Sequence, residues 1–298
     1  MNLSFEFSNQ FKEAVACHQK GNDSDAVNLY TRILKVYPDH SPSLVNLGTL
    51  LRQKKKYSTA KLIYEMALSL RPDDSRILSN YGNLLVDMKL FEEAEQVHAK
   101  ACELDSDNIE NIYNAGIVPF FDNRPAEALG YFNKALQRNP RHYFARWNSA
   151  IAHLQLGDYI AGFRGYELRM DHPGIRRNNY KIQRWDGKAY PDHVLLLTTE
   201  QGFGDVIQFA RFIPCITHLF KSVIVEVRAE LVRLLQSIDS NITVIERGQP
   251  VSFVDYQFPL LSLPHRLGMS LDTIPRNIPY LHIEAPADRD LPTFCVSV

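Results

Sequence analysis

Over the first 170 residues, apolar side chains recur at helical spacing in pairs of short segments with polar turns between them, such as QKKKYS at 53–58 and MKLFEE at 88–93. The pattern repeats every 34 residues. Small residues fall at Ala14, Gly48, Gly82, Gly116 and Ala150, and again at Ala26, Ala60, Ala94, Ala128 and Gly162. Bulky ones fall at Tyr30, Tyr64, His98, Phe132 and Tyr166, and prolines at Pro38, Pro72 and Pro140, with Ser106 at the third of these four positions. Each unit therefore predicts two amphipathic helices that cross closely at the small positions, where a larger side chain would cost about 1–3 kcal/mol. The proline is expected to end the second helix.

Beyond residue 191 the period changes. Val194 to Thr198 is an unbroken apolar or β-branched run, as in a buried parallel strand, and Thr199 to Gly204 predicts a tight loop with two glycines. Asp205 is expected to N-cap a helix carrying Val206, Phe209, Ala210 and Ile213 on one face. Strands follow at Val223–Val227, Ile242–Glu246 and Phe253–Phe258, with helical segments at Ala229–Ile238 and Leu260–Leu267. This alternation predicts a Rossmann-like parallel sheet with right-handed crossovers. The fold class is thus α + α/β: a helical solenoid over 1–171, a linker over 172–191, and a Rossmann-like unit over 192–298.

Composition narrows the function classes. Lys plus Arg number 33 against 34 Asp plus Glu, so no global field draws in nucleic acid. The four cysteines form no metal-binding or disulfide spacing, which fits a reducing cytoplasm, and no metal or cofactor is expected. No signal peptide is expected, and no apolar run reaches the roughly 18 residues of a membrane span. Lys54, Lys55 and Lys56 read as a solvated turn, and His98 as a core-edge histidine standing in for an aromatic ring. Within the linker, Arg176, Arg177, Lys181 and Arg184 read as solvated and Trp185 as the anchor.

The 34-residue units resemble the tetratricopeptide repeat, at 7–40, 41–74, 75–108 and 109–142, with a degenerate fifth unit over 143–170. Unit 41–74 fits best; Pro119 in the fourth unit, and Gly162 and Arg169 in the fifth, depart from the pattern, and Pro119 is expected to kink its helix. The resemblance implies a concave face that holds a peptide or protein partner. Asn46, Asn80, Asn114 and Asn148 share one repeat position, with Lys12 in the first unit. In the protein O-linked N-acetylglucosamine transferases a similar asparagine ladder grips a peptide backbone, and an amide suits that role because it both donates and accepts. Capping or bridging of neighbouring helices explains the same residues.

The whole arrangement, with GDYIAGFRGYELR, RWDGK, VLLLTTEQGFGDVIQFARFIP, VDYQFPLLSLPHRLG and IPYL following the repeats, resembles bacterial repeat proteins fused to a two-Rossmann glycosyltransferase. The heptosyltransferases are of the same type. That likeness makes Gly204 and Asp205 the acceptor-side pair, with Asp205 as base for the acceptor hydroxyl and Glu200 as an alternative. It also makes Gln201, Gly202, Gln208 and Arg211 candidates for binding a sugar acceptor. An ordinary helix cap accounts for Asp205 equally. The half that binds the sugar nucleotide would follow Val298, so the chain is expected to be inactive alone. A non-catalytic interaction scaffold is the alternative reading. Gly202-x-Gly204 with Glu226 about 20 residues on also suggests a dinucleotide site, but Ile207 stands where the third glycine belongs.

Overall fold

The structure is a computed structural model that describes residues 3–172, 180–200, 202–251 and 253–282. It divides into two compact units, Met1–Leu156 and Gly157–Val298. The first holds nine helices among the described residues: α1 (Leu3–Gln19), α2 (Asp23–Val36), α3 (Ser41–Gln53), α4 (Tyr57–Leu70), α5 (Ser75–Asp87), α6 (Phe91–Leu104), α7 (Ile109–Phe121), α8 (Pro125–Arg138) and α9 (Tyr143–Gln155). Consecutive helices pair as hairpins, and the odd-numbered helices also neighbour one another, forming an inner row.

The hairpins close over the small residues that the periodicity picks out. A Cβ built on Gly48 would meet the Tyr64 ring at 2.9 Å, one on Gly82 the His98 ring at 2.5 Å, and one on Gly116 the Phe132 ring at 2.8 Å. Tyr64, His98 and Phe132 are buried, so each glycine admits a ring that a methyl group would exclude. Each first helix ends in a left-handed residue at the same repeat position: Gly21, Lys55, Lys89, Asn123 and Gly157. The next backbone N–H then reaches back along the helix, as from Lys56 to Leu51 O and from Leu90 to Leu85 O, both at 2.9 Å. Lys55 and Lys89 hold this conformation at a steric cost of about 1–2 kcal/mol each that glycine avoids.

Three second helices stop immediately before the dipeptides Tyr37-Pro38, Arg71-Pro72 and Asn139-Pro140. α6 stops at the same place although Ser106 replaces the proline, with Asp105 extended like the equivalent Tyr37, Arg71 and Asn139. The side chains that cap the next helix share the job: Asp74 accepts from Arg76 N and Ile77 N, and Asn108 from Glu110 N and Asn111 N. Pro119 lies in the last turn of α7, which continues to Phe121.

In the second unit α10 (Tyr159–Tyr166) leads into a 3-10 turn at Glu167–Asp171. Phe163 and Tyr166 pack on Phe209, the latter stacked with ring centroids 6.4 Å apart. Five parallel strands follow: β1 (Gln183–Arg184), β2 (Tyr190–Thr198), β3 (Phe220–Val227), β4 (Ile242–Glu246) and β5 (Tyr256–Pro259), in the order β1-β5-β2-β3-β4. Strand order therefore runs β2, β3, β4 to one side and reverses to β5 on the other. Short helices α11 (Phe203–Ala210), α12 (Ala229–Leu235) and α13 (Leu263–Arg266) cross between strands or follow them.

Several sequence expectations shift here. β2 begins four residues before the apolar run, because its polar start still pairs with β3 at Phe220, and β5 starts three residues later and ends one later than the expected 253–258. α12 stops at Leu235, three residues short of Ile238. The 172–191 stretch, expected to be a linker, contributes β1, which pairs with β5. Arg176 and Arg177 lie outside the described residues. Trp185 is fully buried against Phe220 and Phe258, and its indole N–H donates to Lys188 O at 2.7 Å.

At the β4 edge, Asn241 O accepts from β3 and Arg247 N donates to it, so the groups of Ile242 and Val244 face outward. There the Gln236 amide donates to Ile242 O at 3.3 Å and accepts from Val244 N at 3.1 Å.

Candidate functional site

Two places hold the residues that the sequence singles out. The first is the inner row of the repeat unit, where Asn46, Asn80, Asn114 and Asn148 sit half-buried at one register of α3, α5, α7 and α9. Three of the four amides bridge to a preceding helix. Asn46 Nδ2 donates to Tyr30 OH at 3.2 Å, Asn114 Nδ2 to Ser79 Oγ at 2.9 Å, and Asn148 Nδ2 to Tyr113 OH at 3.0 Å. Asn80 has no such bond among the described residues: Val45 stands where Ser79 and Tyr113 stand for the others, and Thr49 takes the Tyr64 hydroxyl at 2.9 Å. Asn46 also lines an open pocket of about 520 Å³ with Val15, His18, Tyr30 and Gln53.

Chemistry along the row changes from one end to the other. Repeats two and three present Thr49, Asn80 and Asn83, and the Arg52 charge is matched by Asp87 at 2.7 Å. Repeats four and five present Tyr113, Phe120 and Phe144, and Phe121 and Phe144 are each 61% exposed. His98, expected at the core edge, is 1% exposed with neither ring nitrogen hydrogen-bonded among the described residues. Burial, helped by the Arg52 charge, pushes its pKa down to about 4. Lys54, expected to be solvated, reaches Asp23 at 3.0 Å.

The second place is the loop that follows β2. It is fastened at three points. Arg169, 1% exposed, donates from Nη2 to Glu200 Oε1 and Ser262 Oγ, each at 2.7 Å, and from Nη1 to Glu167 Oε1 at 2.8 Å. Arg247 donates from Nη2 to the Thr199 carbonyl and to Thr199 Oγ1. Asp205 Oδ2 accepts from Gly202 N at 3.2 Å. Asp205 is thus the third residue of α11 and not its N-cap. The helix starts at Phe203 with Gly202 as cap, so the carboxylate reaches back to the loop instead of forward along the helix.

Electrostatics here follow from burial. It pushes the Glu200 carboxyl above its ordinary value, against the pull of Arg169. It also works against the Arg169 charge, but Glu200 and Glu167 outweigh it and the guanidinium stays protonated. Burial likewise opposes ionisation of Glu167, yet its bond and charge contact with Arg169 hold it below the ordinary value. Glu200 Oε2 is buried without a hydrogen bond among the described residues.

The remaining candidates scatter. Gly202 and Gly204 are exposed, with nothing within 4 Å of a Cβ built on Gly204, so a ligand can approach the backbone there. Gln208 is exposed; Arg211 lies over the Tyr280 ring at 4.9 Å; Gln201 is outside the described residues. Glu226, the acid of the dinucleotide reading, is 2% exposed and accepts from Tyr180 OH at 2.7 Å and Gly248 N at 3.3 Å, which withdraws it from a ribose. Arg169, Arg247 and Ser262 were not singled out as site residues. Arg169 had one signal, its departure from the repeat pattern; Arg247 and Ser262 meet the loop only through the fold. Among the described residues no three His, Cys, Asp or Glu side chains group as a metal site, and no helix is long and apolar enough to cross a membrane.

Family models of the tetratricopeptide repeat match residues 41–74, 75–108 and 113–163. Among solved structures the chain is similar to one from a functional characterization of Pseudomonas aeruginosa pilF. Identity is 24%, the match covers 58% of this chain and 78% of that one, and the TM-score is 0.50. It is also similar to a tetratricopeptide repeat protein from Parabacteroides merdae, at 23% identity over 56% and 67% of the two chains with a TM-score of 0.46. A third is YrrB, described as a repeat protein with an unusual peptide-binding site, at 18% identity over 54% and 84% with a TM-score of 0.42. No curated protein matches the chain. The first of these likenesses shows the helical repeat fold. Residues 41–108 and 113–163 are therefore tetratricopeptide repeats.

Proposed function

We propose that this chain is a protein–protein interaction module whose inner helices hold an uncharged, extended segment of a partner. The supporting observation is the inner row itself: a polar half whose Arg52 charge is matched by Asp87, the half-buried amide of Asn80 with no bond of its own, and an aromatic half ending in exposed Phe144. Three asparagines brace the array through Nδ2, and Asn80 is left to serve a ligand. Twelve-residue peptides selected by display against the full chain would provide the probe. Asn80→Ala should weaken a selected peptide by about 2- to 12-fold, the worth of one hydrogen bond, with the melt unchanged. Unchanged affinity, or no peptide selected, overturns the reading.

A second, narrower reading concerns the sheet unit as the acceptor-side, Rossmann-like half of a sugar transferase. Its support is the reversal of strand order beside β2, where open parallel sheets place ligands, together with the exposed Gly202 and Gly204. Asp205 is the better placed base on this reading, because Glu200 is buried against Arg169. The chain alone is expected to transfer no labelled sugar from a panel of sugar nucleotides to a bacterial lysate. Transfer that is lost in Asp205→Asn would show that it is a complete enzyme.

A further inference from the structure

We propose that the outer face shared by the first and second repeats is a self-association surface, on which two copies of this chain pair across a two-fold axis. On this face α2 and α4 flank an apolar pocket of about 400 Å³, walled by Val27, Leu34 and Ile63 and floored by Leu44, Leu47 and Leu51 of α3. The face is separate from the asparagine row, since Asn46 lies on the other side of α3 and lines a different pocket. Beside the pocket runs a ridge. Leu62, Met66 and Leu70 occupy successive turns of α4, 61%, 47% and 45% exposed, and Val36 at the end of α2 is 66% exposed. Folded monomers rarely leave a groove and an adjoining apolar stripe both open to water.

A ridge next to a groove on one face is self-complementary. When the ridge of one copy enters the groove of another, two-fold symmetry places the second ridge in the first groove, and the contact closes at two copies. In that arrangement the helices lie in the order α2, partner α4, α4, partner α2. The flank of α4 turned away from its own α2 then faces the partner's α2. That flank carries exposed Glu65, whose bond from Tyr81 OH is a long 3.4 Å. The rim of α2 carries exposed Arg32 and Lys35, for which no ion pair is found among the described residues. The charges are opposite in sign where the two copies meet, which favours a second copy over an apolar helix of unrelated charge.

Sedimentation of the full chain at about 50 µM should give twice the 34.2 kDa of one chain, since a micromolar contact is largely formed there. Leu62→Glu with Met66→Glu should return it to the mass of one chain with the helical circular dichroism intact, as both side chains are largely exposed. Glu65→Arg alone, and Arg32→Glu with Lys35→Glu alone, should each weaken pairing about tenfold or more, because each puts like charges opposite one another. Mixing those two variants should restore a mixed dimer, since every charge then meets its opposite. A wild type of single-chain mass, or a dimer indifferent to Leu62→Glu with Met66→Glu, overturns the proposal. A dimer that resists only the charge exchange overturns the two-fold arrangement.

Discussion

Arg169→Met should lower the unfolding free energy of the sheet unit by about 3–5 kcal/mol. The guanidinium is buried to within 1% and is the only cation bonded to Glu200 among the described residues, whose side chain is 3% exposed. Removing it leaves a carboxylate out of water without a counter-charge, and also strips Ser262 and Glu167 of a donor. Glu200 must then take up a proton or draw water into the core. Replacing both partners, Arg169→Met with Glu200→Leu, should cost far less than the single change, because no charge is left behind. Urea unfolding followed by Trp185 fluorescence in a Trp147→Phe background reads this unit, since these are the two tryptophans of the chain. A loss below about 1 kcal/mol in the single variant would mean that Glu200 is neutral or hydrated in the folded protein.

The repeat unit should lose about 3 kcal/mol between pH 6.5 and 4 through His98 alone. Folded His98 titrates near 4, whereas a free imidazole titrates near 6.5. Above pH 6.5 neither state binds the proton and His98 adds no pH dependence. Below it the unfolded chain takes up a proton that the folded chain cannot accommodate, so stability falls with pH until the folded ring itself titrates. The cause is burial, helped by the Arg52 charge: the ring lies against Gly82, with neither nitrogen bonded among the described residues. Phe132 fills the equivalent position of the next repeat. His98→Phe should therefore flatten this part of the pH profile, and should not weaken the unit at pH 8. Urea midpoints by circular dichroism at pH 4.5, 6 and 8 measure it. Parallel profiles for wild type and variant would show that the ring finds a partner or reaches solvent.

The repeats were legible because each depends on contacts a fixed 34 residues apart, so Gly48, Gly82 and Gly116 announce their rings through period alone. The sheet was legible in outline for a similar reason: apolar runs such as Val194–Thr198 have few other places to go. Its limits were less so. β1 has two residues and no pattern, and exists because β5 offers it an edge. The loop after β2 was recognisable from its glycines, but the roles of its carboxylates were not. Glu200 is tied by a residue 31 positions away and Thr199 by one 48 positions away, and no local rule reports such pairs. Asp205 shows how narrow the margin is. The same side chain reads as an N-cap or as a base, yet a helix starting three residues earlier turns its carboxylate back onto Gly202.

Gln236 bears on how the sheet avoids uncontrolled growth. Ile242–Glu246, ITVIE, is rich in β-branched residues and lies at the rim of the sheet, the kind of segment that templates intermolecular strand pairing and fibril formation. The Gln236 amide imitates one rung of an additional strand, filling the acceptor at Ile242 and the donor at Val244. An incoming strand must first displace it. A single side chain thereby supplies the gatekeeping that other sheets obtain from an added helix, a lysine or a proline.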